Sequence, residues 1–337
     1  MKHQDLQPHL SSLDALWKRA SHSDSWHGYG VRTTRSGKRI LTLFLEPEAT
    51  AEAASLKATV SEDFRRISSR HKLTVETMHF PHFRSIPGKK HGSLSGVLQP
   101  GNTVFTSGSD CQAPCSGTIG AFLASANGAQ RSRTWLLSNH HILAECTKNV
   151  IVKGMTGDGI GKKVSAVPLL PEGSLVDCAI VEVANGSPID LTYRDLGKLS
   201  KTPVALTQGA TVRKLGASSG VTSATFIWRC PKVKVFDCMD TNFNVFLRQL
   251  VFVSVDPDQP FAEEGDSGSL VWNNGHPVGL LCARTNATDA APPDTSPKPK
   301  PPFFLANPWQ TVLRELSKKV KTPLKIVLAP EQTKKGG

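Results

Sequence analysis

The segment best suited to chemistry is Gly265-Asp266-Ser267-Gly268-Ser269, which runs into the apolar stretch Leu270–Trp272. A serine between glycines can sit on a tight turn with its hydroxyl exposed and backbone N–H groups converging on one point. A nucleophile with an oxyanion hole needs that geometry. Gly265 matters because a side chain there would obstruct the approaching carbonyl oxygen. An ordinary Gly-Asp-Ser-Gly turn has the same composition, so the motif gains meaning only from its partners. A serine hydroxyl is a weak nucleophile until a histidine takes its proton, and that histidine needs an acid to fix its tautomer. Leu136-Leu137-Ser138-Asn139-His140-His141-Ile142-Leu143 supplies histidines at the end of an apolar strand. Leu175-Val176-Asp177-Cys178-Ala179-Ile180-Val181 places one aspartate at the lip of a buried strand, where it is costly unless paired.

Other chemistries fit less well. The α/β-hydrolase elbow is G-x-S-x-G with the acid and the histidine following the serine. Here its last position is Ser269, and no Asp or Glu lies between Ser267 and His276, the one later histidine. Cys111 and Cys115 have no second pair at ligand spacing, and His79-Phe80-Pro81-His82 has no adjacent carboxylate or cysteine, so neither metal nor cofactor is expected.

The elements that must position these residues are mostly strands. Residues 1–97 read as a small α+β domain: a hairpin over Tyr29–Leu45 around Ser36-Gly37, a helix over Ala49–Ser69 and a strand at Leu73–Met78. It carries eight of the eleven histidines. From residue 98 short apolar runs alternate with Gly, Pro, Asn and Asp, the texture of all-β barrels. They form two clusters, split near Thr192–Lys201. The expected units are a first β-barrel over 98–194, a second over 195–323 that ends in a helix, and a C-terminal tail over 324–337. In that helix Asn307 is read as the cap, Pro308 as the first helical residue, and Trp309, Val312, Leu313, Leu316 and Val320 as one apolar face. Residues 288–302 hold six prolines and read as an extended loop, with Lys298 and Lys300 available to acidic substrate segments.

The net charge of +12 lies at the ends: +6 over 1–97 and +7 over 298–337, against −1 between them. A nucleic-acid enzyme would more naturally surround its chemistry with positive charge, so nucleic acid is not the expected partner. No run approaches the 18 apolar residues of a membrane span, and the start lacks the apolar core of a secretory leader. With seven cysteines, an odd number, in a chain too long to need staples, reduced thiols and a cytoplasmic location are expected. A homo-oligomer is left open.

Taken in order, His141, Asp177 and Ser267 follow the sequence of roles in the chymotrypsin template. Together with Gly117-Thr118-Ile119-Gly120 and Val278-Gly279-Leu280-Leu281, these motifs resemble the trypsin/chymotrypsin-like serine proteases of the PA clan. The similarity spans roughly residues 100–320 and is greatest to the intracellular, mostly bacterial branch with a small extra N-terminal domain. It implies two six-stranded antiparallel β-barrels with a C-terminal helix, and a serine endopeptidase acting on protein without a cofactor. His141, rather than His140, would then be the base, Asp177 the orienting acid, Ser267 the nucleophile, and the Gly265 and Ser267 N–H groups the oxyanion hole. The pocket base falls at Phe261 and a pocket wall at Cys282-Ala283-Arg284, which removes the aspartate that selects Lys or Arg in trypsin. Glu263 and Glu264 near the rim favour cationic substrates, whereas Arg284 favours acidic ones. No cysteine adjoins His141, and no Ile-Val-Gly-Gly-like processed start exists to pair with Asp266. Either the enzyme is born active or another group neutralises Asp266. The alternative function is a protease-fold binding or scaffold module with little activity.

Overall fold

Period-two burial organises the chain. Along 211–216 buried positions alternate with more exposed ones, and the same alternation runs through 220–236, so each strand offers one face to a core. The computed structural model describes residues 17, 26–33, 39–45, 62, 74–79, 83–85, 97–107, 116–127, 133–144, 151–153, 159–170, 172–237, 242–285 and 302–329. The N-terminal strands are β1 (Trp26–Thr33), β2 (Arg39–Leu45), β3 (Thr74–His79) and β4 (Phe83–Ser85). A first barrel-like group follows: β5 (Thr103–Ser107), β6 (Ser116–Thr118), β7 (Ala121–Ser125), β8 (Thr134–Ser138), the single-turn helix α1 (His140–Leu143), β9 (Ile151–Lys153), β10 (Gly159–Ala166) and β11 (Ala179–Val183). The second group is β12 (Thr211–Gly216), β13 (Gly220–Phe236), β14 (Phe243–Ser254), β15 (Leu270–Asn273), β16 (His276–Thr285) and β17 (Phe303–Pro308), then helix α2 (Trp309–Val320) and β18 (Leu324–Val327). The fold is mainly β, with largely antiparallel sheets.

In the second group the pairings run β12–β15–β16–β17–β14–β13 and return from β13 to β12. In the first they run β7–β8–β11–β10–β9–β5–β6, and only Ile119-Gly120 separates β6 from β7. Alternation then sorts side chains between cores. Leu136 points into the first group with Val104, Phe122 and Val181. Its neighbours Trp135 and Leu137 point the other way, onto Leu270, Trp272 and Leu280 of the second group and onto Trp309, Val312 and Leu316 of α2. That shared layer joins the halves behind the site.

Three features depart from the sequence reading. Residues 324–327, taken as tail, form β18 on the edge of β7, because Leu324 and Ile326 alternate inward. Helix α2 starts at Trp309 with Pro308 as its N-cap; Asn307 belongs to β17 and is fully buried. The N-terminal strands do not pair only among themselves. The β1–β2 pair is the expected hairpin, β3 lies parallel to β2, and β1 continues the main sheet through Tyr29↔Lys232 on β13. At 17 residues β13 outruns β12, which covers it only to Thr225, and β1 takes the edge beyond. The helix expected over 49–69 and the proline-rich segment 288–302 lie outside the described residues, apart from Glu62 and Pro302.

Candidate active site

Strand β8 ends at Ser138, where it pairs with Ala179 of β11, so the residues just outside both strands meet. Asn139 fastens them: its Nδ2 donates to the Asp177 carbonyl at 2.7 Å. The single turn α1 then faces His141 inward. The Asp177 carboxylate accepts the His141 backbone N–H at 3.2 Å and the ring Nδ1–H at 2.5 Å. The opposite ring nitrogen, Nε2, accepts the Ser267 hydroxyl at 3.0 Å. Burial alone would raise the Asp177 carboxyl, but the charge and hydrogen bond of His141 outweigh it and hold the carboxyl below its ordinary range. The carboxylate therefore keeps Nδ1 protonated and Nε2 free to accept, the tautomer a general base requires. His140 turns away, its Nδ1 lying 2.8 Å from the Val167 carbonyl.

The serine turn depends on its glycines. Gly265 and Gly268 have φ of 98° and 93°, a left-handed conformation that side chains rarely adopt. A Cβ on Gly268 would strike the Ser138 hydroxyl and the Thr118 carbonyl. The turn is pinned from the first group, where Thr118 N–H donates to the Ser267 carbonyl at 2.7 Å and Thr118 Oγ1 to the Gly265 carbonyl at 2.8 Å. Among the described residues, neither the Gly265 N–H nor the Ser267 N–H has a hydrogen-bond acceptor.

Two residues that support the candidate site escaped the sequence reading. Asn307 Oδ1 accepts the Asp177 N–H at 2.9 Å, while its Nδ2 donates to Gln249 Oε1 at 2.6 Å. Gln249 in turn donates to the carbonyls of Leu175 and Leu247, so a buried amide pair from β14 and β17 holds the aspartate's backbone. The second is Lys214. Its Nζ lies 2.7 Å from Asp266 Oδ2, and both side chains are 0% exposed. Asp266 also accepts the Ser219 hydroxyl and the backbone N–H groups of Ser218, Ser219 and Glu263. Burial pushes the Asp266 carboxyl up, yet Lys214 and these donors hold it below the ordinary range. A signal for Lys214 existed: period-two alternation from Val212 puts it on the inward face of β12, where a cation demands a carboxylate.

The pocket residues come out separately. Phe261 is fully buried, packed with Phe252 and Phe304 at ring-centroid distances of 6.0 and 5.5 Å inside the second barrel-like group. Cys282 is buried on β16, 3.5 Å from Asn307 Nδ2, and burial beside Asp177 pushes its thiol well up. Arg284 is half-buried and reaches across to donate from Nη1 to the Ala262 carbonyl at 3.3 Å, whereas Glu263 and Glu264 are exposed. Cys111 and Cys115 lie outside the described residues.

No family model and no curated protein matches the chain. Among solved structures it is similar to Thermobifida fusca protease A, at 15% identity over 69% of this chain and 100% of that one, with a TM-score of 0.42. A glutamic acid-specific serine protease said to use a histidine triad in substrate binding gives 14% identity over 68% of this chain and 100% of that one, with a TM-score of 0.45. A scabies mite inactivated protease paralogue gives 17% identity over 69% of this chain and 99% of that one, with a TM-score of 0.32.

Proposed function

We propose that the chain is a serine endopeptidase, of the trypsin/chymotrypsin-like kind with an extra N-terminal region, that makes limited cuts in protein substrates in the cytoplasm. The observation that carries this reading is the line from Asp177 Oδ2 through His141 to Ser267 Oγ, with its two contacts of 2.5 and 3.0 Å. Along that line His141 Nε2 takes the hydroxyl proton as Oγ attacks the scissile carbonyl. Asp177 stabilises the imidazolium, and the N–H groups of Gly265 and Ser267 receive the developing oxyanion. His141 then protonates the leaving amine, and an acyl-enzyme forms on Ser267. In the second half the same nitrogen activates water, which releases the acid and restores the serine.

The alternative, a binding or scaffold module with little activity, is favoured by one observation: Ser267 is 0% exposed. Labelling with a fluorophosphonate separates the two, because the probe phosphonylates an activated serine and spares an idle one. Stoichiometric labelling that is lost in Ser267→Ala is the expected result. Absence of labelling at any exposure time would favour the module.

A further inference from the structure

The nucleophile is sealed. Ser267 has 0% exposure and His141 6%, so no substrate carbonyl can reach Oγ unless something moves. The strand beside the nucleophile is β16. Leu281 donates its N–H to the Ser269 carbonyl and accepts the Gly268 N–H, both at 2.9 Å, which sets it directly against the serine turn. From Leu281 the strand continues to Thr285. One of its edges is taken by β17, through Leu281↔Ala306, Ala283↔Leu305 and Arg284↔Phe304. The other edge, from 283 to 285, is where an extended polypeptide could add as a strand and be guided to the serine.

That edge is occupied by the chain itself. Strand β4 pairs with it antiparallel, Phe83 opposite Thr285, Arg84 opposite Arg284 and Ser85 opposite Ala283. Its direction is that of an incoming polypeptide, because from Phe83 to Ser85 it advances from Thr285 towards Leu281 and the serine turn. It is anchored elsewhere than at the catalytic residues. Phe83 is fully buried in a cluster with Phe44, Trp228 and Val233, and Ser85 Oγ donates to the Phe236 carbonyl at 3.4 Å. Its opposite edge pairs parallel with β13, Phe83 beside Val235 and Arg84 beside Phe236, so β4 bridges β13 and β16; with three residues it still has few bonds to lose in a local opening.

Resting on the endopeptidase reading, we propose that β4 is an intramolecular occupant of the polypeptide-docking edge. The chain as folded is latent, and its substrate is an extended, unpaired polypeptide segment that takes the place of β4 on β16. Access to Ser267 then scales with the fraction of molecules in which β4 has left its edge.

The test uses the full chain, with Phe83→Ala to weaken the buried anchor and Ser85→Pro to remove the Ser85 N–H and the hydroxyl's hydrogen bond to Phe236. Each protein receives a fluorophosphonate and unfolded casein, and separately a fluorescein-labelled peptide of residues 80–88, Phe-Pro-His-Phe-Arg-Ser-Ile-Pro-Gly. Both variants are expected to label Ser267 and cleave casein about tenfold faster than the parent, or more, if the open fraction is small. They should also bind the peptide where the parent does not, and excess peptide should return their rates towards the parental value. Variants that keep a cooperative melting transition yet label and cleave at the parental rate overturn the proposal, as does peptide binding equally to parent and variants. If Phe83→Ala loses its melting transition, Ser85→Pro decides by the same criteria. Peptide binding needs no chemistry: peptide held by the variants alone, with no labelling in any protein, would refute the endopeptidase reading and leave the occupied edge standing.

Discussion

Replacing Lys214 by methionine removes the cation that neutralises Asp266 and retains most of the buried volume. Both side chains are 0% exposed, so the carboxylate cannot turn to solvent. Breaking a buried pair by removing one partner typically costs about 3–5 kcal/mol. Four other donors remain on Asp266, which puts the expected loss at the lower end, about 3 kcal/mol, or roughly 4 °C in melting temperature for a chain of this length. Asp266 lies between the two residues whose N–H groups would hold the oxyanion. A turn that shifts to protonate or resolvate it should therefore slow fluorophosphonate labelling of Ser267 by about 100-fold, the scale of one lost oxyanion donor. The pH dependence has a definite sign. In the parent the Asp266 carboxyl is held below its ordinary 3.8, so its contribution to stability is whole above that value and is lost as pH falls through the lower folded value. Without Lys214, burial dominates and raises the carboxyl, so the penalty is greatest near neutrality and shrinks as acid protonates it. Urea melts of parent and Lys214→Met should therefore converge between about pH 7 and pH 3. A stability gap that does not change with pH, or a labelling rate within twofold of the parent, would refute the assignment of Lys214 as the group that sets the serine turn.

The remaining outcomes concern the site and the thiols. Ser267→Ala and His141→Ala should each lower peptidase turnover by about a millionfold, and Asp177→Asn by about 10⁴-fold through the wrong tautomer; His140→Ala should keep substantial activity in the same assay. Asn307→Ala strands the Asp177 N–H and Gln249 Oε1 in the interior, for about 1–3 kcal/mol in a urea melt. If Asn307 positions the aspartate, turnover should fall with KM nearly unchanged, a split that steady-state kinetics on a short peptide reads directly. Cys178, Cys230 and Cys282 are free and buried, with thiols pushed up by burial. They should resist iodoacetamide in the native protein at pH 8, and reductant should leave the melting temperature unchanged; labelling of Cys282 without loss of fold would contradict that.

The candidate constellation of His141, Asp177 and Ser267 was legible because each of its members sits in a short local pattern. A small polar residue after an apolar strand, an aspartate at a strand lip and a glycine-flanked serine are all visible within a few residues. Residues that act through long-range contacts were not. Asn307 followed by Pro308 and an amphipathic run satisfies the rules for a helix cap, and only the packing of β14 against β17 reveals an amide serving Asp177 instead. Lys214 could have been found by strand parity, but parity gives a buried cation without naming its carboxylate, which lies 52 residues away. The join of the N-terminal strands to β13 was invisible for a similar reason. Local sequence specifies that an edge exists, whereas the strand that covers it is chosen by three-dimensional proximity. Phe83–Ser85 is too short to show any alternation at all.

Lys214 and β4 separate two tasks that a protease can combine. In a processed zymogen, a newly made N-terminus both neutralises the aspartate beside the serine and completes the oxyanion site, so assembly and activation are one event. Here the cation comes from inside β12 and the serine turn is fixed by Thr118, Ser218 and Ser219 without a chain end. Cutting the backbone is therefore not needed to build the site. On the proposed latency, restraint acts on access, through a strand of the N-terminal region paired with both β16 and β13. The two controls also differ in reversibility. A cut chain stays cut, whereas on the proposed reading a three-residue strand held by Phe83 and its pairings with β13 and β16 leaves and returns as extended polypeptide competes with it, so activity would follow the supply of such segments. On this logic Lys214→Met and Phe83→Ala should act independently, one lowering the intrinsic reactivity of Ser267 and the other raising its accessibility, and their effects on labelling rate should multiply in the double variant.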